Sequence, residues 1–381
     1  MNVGILSLPR VRNWGSFLQA FALKKTVEAY GHECYFLDIK KNVSVTTPAT
    51  VEGNENSLGA LFVKIKKLPQ ICFRSLKQAL LRRSKSGQYQ QKFRKKYDVE
   101  FLPLLGIGRV NDQDDTSFDL VIIGSDQVFN CTQPRSPWGK TLHFFGEGIN
   151  AKKIITYAAS FGFTTIDDLE RHDLKTRITK ALENVSTVSV RDMNSYSIIE
   201  QLTGKPPELH VDPVLMFDFS SYMPSTVPIN NYLIVYTYQQ DIIDPEIVHA
   251  IKEYAASRQK IVVSLYSHHD WCDQCIIANT PFQLLAYFAN ADYVVTDTFH
   301  GTVFSIKFNR NFVVLTKDRN AHRVDFLLKH FALPDRIVMN PADIESKLEE
   351  GVDYNECNSI LDAEVKKARS YLKEALNLQK G

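Results

Sequence analysis

Between Asn56 and Tyr97 this 381-residue chain has no aspartate or glutamate at all. Twelve lysines and arginines sit in that stretch, from Lys64 to Lys96, although the whole chain carries a formal charge of only +2. The remainder is therefore mildly acidic, and the basic excursion is local. Long apolar runs are missing too, since none approaches the roughly 18 residues that a membrane span needs. The start, Met1-Asn2-Val3-Gly4-Ile5-Leu6-Ser7, lacks the basic n-region and apolar h-region of a signal peptide, so a cytoplasmic protein is expected. Cysteine is sparse: Cys34, Cys72, Cys131, Cys272, Cys275 and Cys357 are scattered through a long chain without the density of a disulfide scaffold and are expected as reduced thiols. No Gly-x-Gly-x-x-Gly follows the first strand, which removes the usual dinucleotide fingerprint.

What is present reads as a soluble globular protein, with 44% hydrophobic and 23% charged residues. At about 150 residues per domain the length suggests two domains. Val3 to Ser7 predicts a strand, the helix from Gly15 buries Phe17, Ala20, Leu23, Val27 and Tyr30, and Cys34 to Ile39 predicts a second strand. Strand, helix and strand in forty residues is a βαβ opening, which implies a parallel sheet. Further apolar strands are expected at Asp119 to Ile123, Ile154 to Tyr157, Thr187 to Val190 and His210-Val211, with a helix around Asp168 to Leu182. A Ser-, Pro- and Asn-rich linker at 217–231 then leads to a second α/β series from Tyr232. That series ends in a helix at roughly Ser359 to Leu376, expected to dock across both halves. The expected class is α/β, with two doubly wound Rossmann-like domains facing a central cleft. The first covers 1–216 with an insertion at about 43–115, and the second covers 232–381.

Within the insertion, Leu61, Ile65, Leu68, Cys72 and Leu76 recur at helical spacing among the basic residues. This pattern reads either as a surface toward anionic lipid or a phosphate-linked acceptor, or as a solvated helical hairpin. Nucleic acid also answers to such charge, but the expected partners do not include it.

The strands end at small or ionisable residues, which a parallel sheet gathers along one edge. These ends are Asn13-Trp14-Gly15, Gly124-Ser125-Asp126-Gln127, Ala158-Ala159-Ser160, Arg191-Asp192 and Asp212-Pro213. In the second half, strand Tyr293 to Thr296 runs into Asp297-Thr298-Phe299-His300-Gly301-Thr302, with a helix expected from Val303. A carboxylate, an imidazole and a helix start within six residues suggest an anion pocket beside an acid/base; an ordinary turn with a buried histidine is the alternative. A loop at His268 to Cys275 contains one Cys-x-x-Cys. Adjacent histidines diverge, and no thioredoxin-like context surrounds the pair, so neither a metal nor a redox site is expected.

The ordered set of motifs resembles the polysaccharide pyruvyl transferase family. It comprises Val3-Gly4-Ile5 with Asn13-Trp14-Gly15 and Gln19-Ala20-Phe21-Ala22-Leu23; Asp119 to Gln127; Tyr157 to Ser160; Val188-Ser189-Val190-Arg191-Asp192; Val211-Asp212-Pro213-Val214; and Asn290 to Gly301. The resemblance implies a GT-B-like architecture. It also implies transfer of pyruvate from phosphoenolpyruvate, as co-substrate and without a further cofactor, to a sugar of a surface glycan or its lipid-linked precursor. It associates Arg191 and His300 with the donor.

On that reading His300 is the acid, and Asp297 either orients it or caps the following helix. Gly301, Thr302 and Lys317 join Arg191 around the donor, Lys317 by position alone. Asn13, Ser125, Asp126 and Ser160 are expected on the acceptor side, or as turn and cap residues. One departure stands out: many relatives carry arginine two residues before the histidine, where this chain has Thr298. Lys317, Arg319 or Arg323 would have to compensate. A nucleotide-sugar glycosyltransferase and a catalytically silent glycan-binding homologue remain open alternatives.

Overall fold

The computed structural model describes residues 1–37, 84–108, 117–132, 141–237, 244–315 and 321–377. Of the insertion predicted at about 43–115, residues 43–83 and 109–115 lie outside the described residues, as do Lys317 and Arg319.

Two six-stranded parallel sheets organise the molecule. The first is built from β1 (Asn2–Leu6), β2 (Glu33–Phe36), β3 (Phe118–Asp126), β4 (Ala151–Ala159), β5 (Ser189–Val190) and β6 (Glu208–Leu209). Their order is β2-β1-β3-β4-β5-β6. The second contains β7 (Tyr232–Tyr236), β8 (Ile261–Ser264), β9 (Gln274–Cys275), β10 (Tyr293–Thr296), β11 (Asn311–Leu315) and β12 (Ile337–Val338), in the order β12-β11-β10-β7-β8-β9. Helices cover both faces, so the central strands are apolar without alternation. All five residues of β7 are buried, as a two-sided sheet requires. The α/β class and the two Rossmann-like sheets expected from the sequence are thus present.

Each sheet reverses direction once. The chain steps from β1 outward to β2 and then returns to the other side of β1 as β3. The second sheet does the same between β7 and β10. Crevices form at the carboxyl ends of strands that flank such a reversal. Residues 7–16 and 124–127 lie at one reversal, and residues 237 and 297–300 at the other.

Several boundaries differ from those expected. The helix after β10 spans Phe299–Lys307, four residues earlier than the apolar pattern suggested, because Thr298 provides a polar cap. The helix expected around 168–182 is two, Ile166–Arg171 and Lys175–Leu182. The last helix begins at Asn355 and continues to Leu376.

Residues 217–231 contain no regular element, and aromatic rings fasten this connection to both halves. Phe21 lies 4.8 Å from Phe282 and 5.0 Å from Tyr222, and Tyr222 lies 5.3 Å from Phe282. Lys307, at the end of the helix that follows β10, donates to the carbonyls of Phe217 (2.6 Å) and Leu215 (3.5 Å). Burial, and secondarily the nearby Arg369, lowers its pKa to about 8. The terminal helix lies against the first sheet, where Tyr371 Oη donates to Thr156 O at 2.8 Å and Lys367 Nζ to Leu209 O at 2.9 Å.

Beneath that helix His210 is buried, its ring 4.5 Å from that of Tyr371 and its Nδ1 2.8 Å from Ser189 Oγ. Desolvation, with Lys367 nearby, depresses its pKa to about 4, whereas an unfolded histidine titrates near about 6.5. Between those values the unfolded chain takes up a proton that the folded chain refuses, so stability falls as pH drops. Melting temperature measured against pH should decline from about pH 6.5 to about pH 4. His210→Phe should remove that part of the slope.

Candidate functional site

Thr298 shapes the loop after β10. Its Oγ1 accepts from Gly301 N at 2.8 Å, and its carbonyl accepts from Thr302 N (3.2 Å) and Thr302 Oγ1 (3.0 Å). The cap is therefore Thr298, not Asp297. The amides of Gly301 and Thr302 are already used, so the anion cradle expected from these two residues does not exist as such. Gly301 is required for close packing instead, since a Cβ there would lie 2.1 Å from Thr296 Oγ1.

This geometry carries His300 across to the first sheet. Its ring packs directly on the backbone of Gly15, where a Cβ would meet Nδ1 at 2.1 Å and Cγ at 2.2 Å. The two reversal points are thus in contact, glycine on one side and imidazole on the other. His300 is only 5% exposed, and its Nε2 is buried with no hydrogen-bond partner. The nearest carboxylate oxygen is Asp212 Oδ2 at 3.6 Å, beyond hydrogen-bond range.

Beside that imidazole lies a buried charge cluster. Arg191 donates from Nη2 to Asp126 Oδ1 at 2.9 Å and from Nη1 to Asp212 Oδ2 at 2.7 Å. Its guanidinium carbon is 4.5 Å from the centre of the Phe299 ring, a cation–π contact. Ser16 Oγ donates to Asp126 Oδ2 at 2.7 Å. Desolvation pushes the Asp126 carboxyl upward, but Arg191, His300 and the Ser16 hydrogen bond outweigh it and bring the pKa down to about 2. Asp212 behaves alike: burial raises its pKa, while His300, Arg191 and the Val214 amide turn the balance downward. Arg191 is desolvated as well, yet Asp126, Asp212 and Asp192 raise its pKa further. One guanidinium against two contacting carboxylates leaves one negative charge, which a protonated His300 would neutralise.

The other expected residues fall into place around this centre. Asn13 caps the helix Trp14–Ala29, its Oδ1 accepting from Ser16 N at 2.6 Å. Ser125 Oγ donates to Ala158 O at 3.0 Å, and Ser160 Oγ donates to Asp192 Oδ2 at 2.6 Å; both side chains are buried within the sheet edge. Asp126 faces Arg191 rather than open cleft. Asp297 is buried at the end of β10. A second guanidinium arrives on the helix Ala321–His330, with the Arg323 guanidinium carbon 5.7 Å from the Phe299 ring. In the amide orientation that satisfies both groups, Gln127 accepts from Arg323 Nη1 at 2.8 Å and Nη2 at 3.3 Å.

Three members are given no role of their own by the sequence: Gly15 and Asp212, which figure only within strand-end motifs, and Ser16. Asp212-Pro213 reads as a helix cap, and Oδ1 does serve that end by accepting from Val214 N at 3.0 Å. The other oxygen does the pairing, and no local pattern announces it.

Among the described residues no group of three or more His, Cys, Asp or Glu is arranged to hold a metal ion. His269 is buried against Thr237 Oγ1 (3.0 Å) and Ser267 Oγ (2.7 Å), while His268 faces Asp270 at 3.1 Å. Burial raises the pKa of both Cys272 and Cys275, the reverse of an activated thiol. No helix among the described residues is long and apolar enough to cross a membrane.

The family model described as polysaccharide pyruvyl transferase matches residues 13–319, a span that holds every residue of the cluster. The chain belongs to this family. It is a family of enzymes, transferases by its description, and the cluster lies at the meeting point of the two sheets within the matched span. No curated protein matches the sequence. Among solved structures, an S. aureus MnaA solved with UDP is 10% identical, covering 100% of this chain and 98% of that one at a TM-score of 0.49. A putative UDP-N-acetylglucosamine 2-epimerase from Listeria monocytogenes also scores 0.49, at 10% identity over 99% of this chain and 95% of that one. A spinosyn rhamnosyltransferase scores 0.48, at 11% identity over 99% and 100% of the two chains. These likenesses are too distant to carry anything about the site.

Arg191→Met should destabilise the protein by about 3–5 kcal/mol, read from its denaturant midpoint, because it leaves two carboxylates buried without their cation. Gly15→Ala should abolish activity while the far-UV spectrum stays native, since the new methyl takes the place of the imidazole.

Proposed function

We propose that the chain moves a pyruvyl group from phosphoenolpyruvate to two hydroxyls of one sugar, forming a ketal in surface-polysaccharide biosynthesis. The observation that carries this reading is the buried His300 Nε2 without a hydrogen-bond partner, held where the two sheets meet. A buried polar atom left unpaired costs free energy, and at a functional site a reacting ligand is what repays it.

In the reaction, His300 Nε2 delivers a proton to the methylene carbon of the enol phosphate as a sugar hydroxyl oxygen bonds to the neighbouring carbon. The carbon–oxygen bond to phosphate then breaks, inorganic phosphate leaves, and the second hydroxyl closes the ketal. Both hydroxyl protons pass to the base form of His300 and to the departing phosphate. Asp212, whose Oδ2 lies 3.6 Å from Nε2, stabilises the imidazolium. Arg191 acts chiefly by fixing Asp126 and Asp212, with Nε as its one nitrogen lacking a partner. Arg323 supplies further positive charge next to Phe299, the residue after Thr298, where many relatives carry arginine. Lys317, outside the described residues, remains assigned to the donor by position. The acceptor on this reading is a glycan or its lipid-linked precursor, and phosphoenolpyruvate is a co-substrate rather than a bound cofactor. Because His300 is 5% exposed, substrates enter when the halves part, and closure excludes water.

The test is incubation with phosphoenolpyruvate and a panel of saccharide acceptors. Acceptor-dependent phosphate release is expected. Nucleotide release from a sugar nucleotide would instead make the protein a glycosyltransferase, and saccharide binding without turnover a silent homologue. His300→Ala should lower turnover by roughly 10²- to 10⁴-fold; a change of only a few-fold would remove the acid/base assignment.

A further inference from the structure

The helix Lys85–Lys96 roofs the site from the first half. Tyr89, Phe93 and Tyr97 recur every four residues and turn inward. Phe93 lies 4.8 Å from Trp14, the neighbour of Gly15, and 5.3 Å from Tyr266; Tyr89 Oη donates to Ile276 O at 2.6 Å. At 100° per residue, counted from Phe93, Lys95 lies about 160° round the helix and Lys92 and Arg94 lie about 100° away on its two flanks, all three exposed.

The charges on this side are left over after local pairing. Asp98 is taken by Arg12 at 2.8 Å and 2.9 Å, and Glu100 lies 3.5 Å from Lys96. Among the described residues no acid pairs with Lys92, Arg94 or Lys95. The segment continues directly into Tyr97–Phe101 and Leu102–Leu105, where Val99 is 55% and Leu104 45% exposed. Unpaired cations next to exposed aliphatic side chains suit a surface of negative headgroups over hydrocarbon. Nucleic acid would match the charge but gives Val99 and Leu104 nothing to bury.

We propose that the outer face of the helix Lys85–Lys96, with Val99 and Leu104 beyond it, docks on an anionic phospholipid bilayer. The helix packs on Trp14, next to Gly15, so a bilayer on its outer side would lie close to the site and could present a lipid-linked saccharide to it. That last step rests on the proposed function, whereas the docking itself does not.

The test is co-sedimentation of the full chain with vesicles of phosphatidylcholine alone or mixed equally with phosphatidylglycerol, without substrate. Binding is expected only to the mixed vesicles, and it should weaken as salt is added. Lys92→Gln/Lys95→Gln should weaken it by roughly thirtyfold, at about fivefold per charge. The same loss of charge elsewhere, Arg177→Gln/Lys180→Gln, should leave it unchanged. A native melting profile for both variants confirms that they fold. Absence of binding to the mixed vesicles, equal weakening by both pairs, or preferential binding to nucleic acid would each overturn the proposal. Failure of transfer activity alone would count against the proposed function and leave the docking result standing.

Discussion

A guanidinium held between two carboxylates inside the protein is the interaction on which the rest of the site depends. Removing three charges from water is costly, and their mutual attraction repays it only when the geometry is fixed and hydrogen bonds complete it. Here it is fixed by fold: Asp126 terminates β3, Arg191 follows β5, and Asp212 follows β6, so strand ends on one edge of the sheet bring together residues 65 and 21 positions apart. Ser16 completes Asp126 from the helix after β1. The surplus negative charge is what makes the neighbourhood receptive to an imidazole from the other sheet.

The site is therefore divided between the halves. The first sheet supplies the paired charges, and the second supplies the imidazole. Gly15 makes the meeting possible by having no side chain where His300 rests. This arrangement differs from a pocket in which every ligand contact comes from a free cation. Arg191 is largely committed to its own protein, and its value lies in holding two carboxylates ionised and in place.

Much of the scaffold was legible in the sequence because parallel strands covered on both faces are near-continuous apolar runs. Tyr232 to Tyr236 and Tyr293 to Thr296 stand out for that reason. The strand-end residues could be picked out too, since chain reversals gather them on one edge. Their partners could not: whether Asp126 met Arg191 or faced a sugar depends on side-chain direction at strand ends, which period-two reasoning does not fix. Ser125 and Ser160 turned out to bond within the sheet edge for the same reason. Thr298 illustrates a different gap. Read as a missing arginine it looked like a loss, yet as a cap it occupies the amide that an anion cradle would have needed, so gain and loss are one substitution. Lys317 and most of the basic insertion lie outside the described residues.

The helix Phe299–Lys307 carries His300 near one end and, at the other, a lysine gripping two carbonyls at the connection between the halves. Seven residues at 1.5 Å each make this a rigid arm of about 10 Å. A swing of about 10° at the lysine end would displace the imidazole by roughly 2 Å, the difference between resting on Gly15 and leaving it. One short helix thus ties the two sheets together at both of its ends, through the Lys307 ammonium on the connection and through the His300 ring on Gly15.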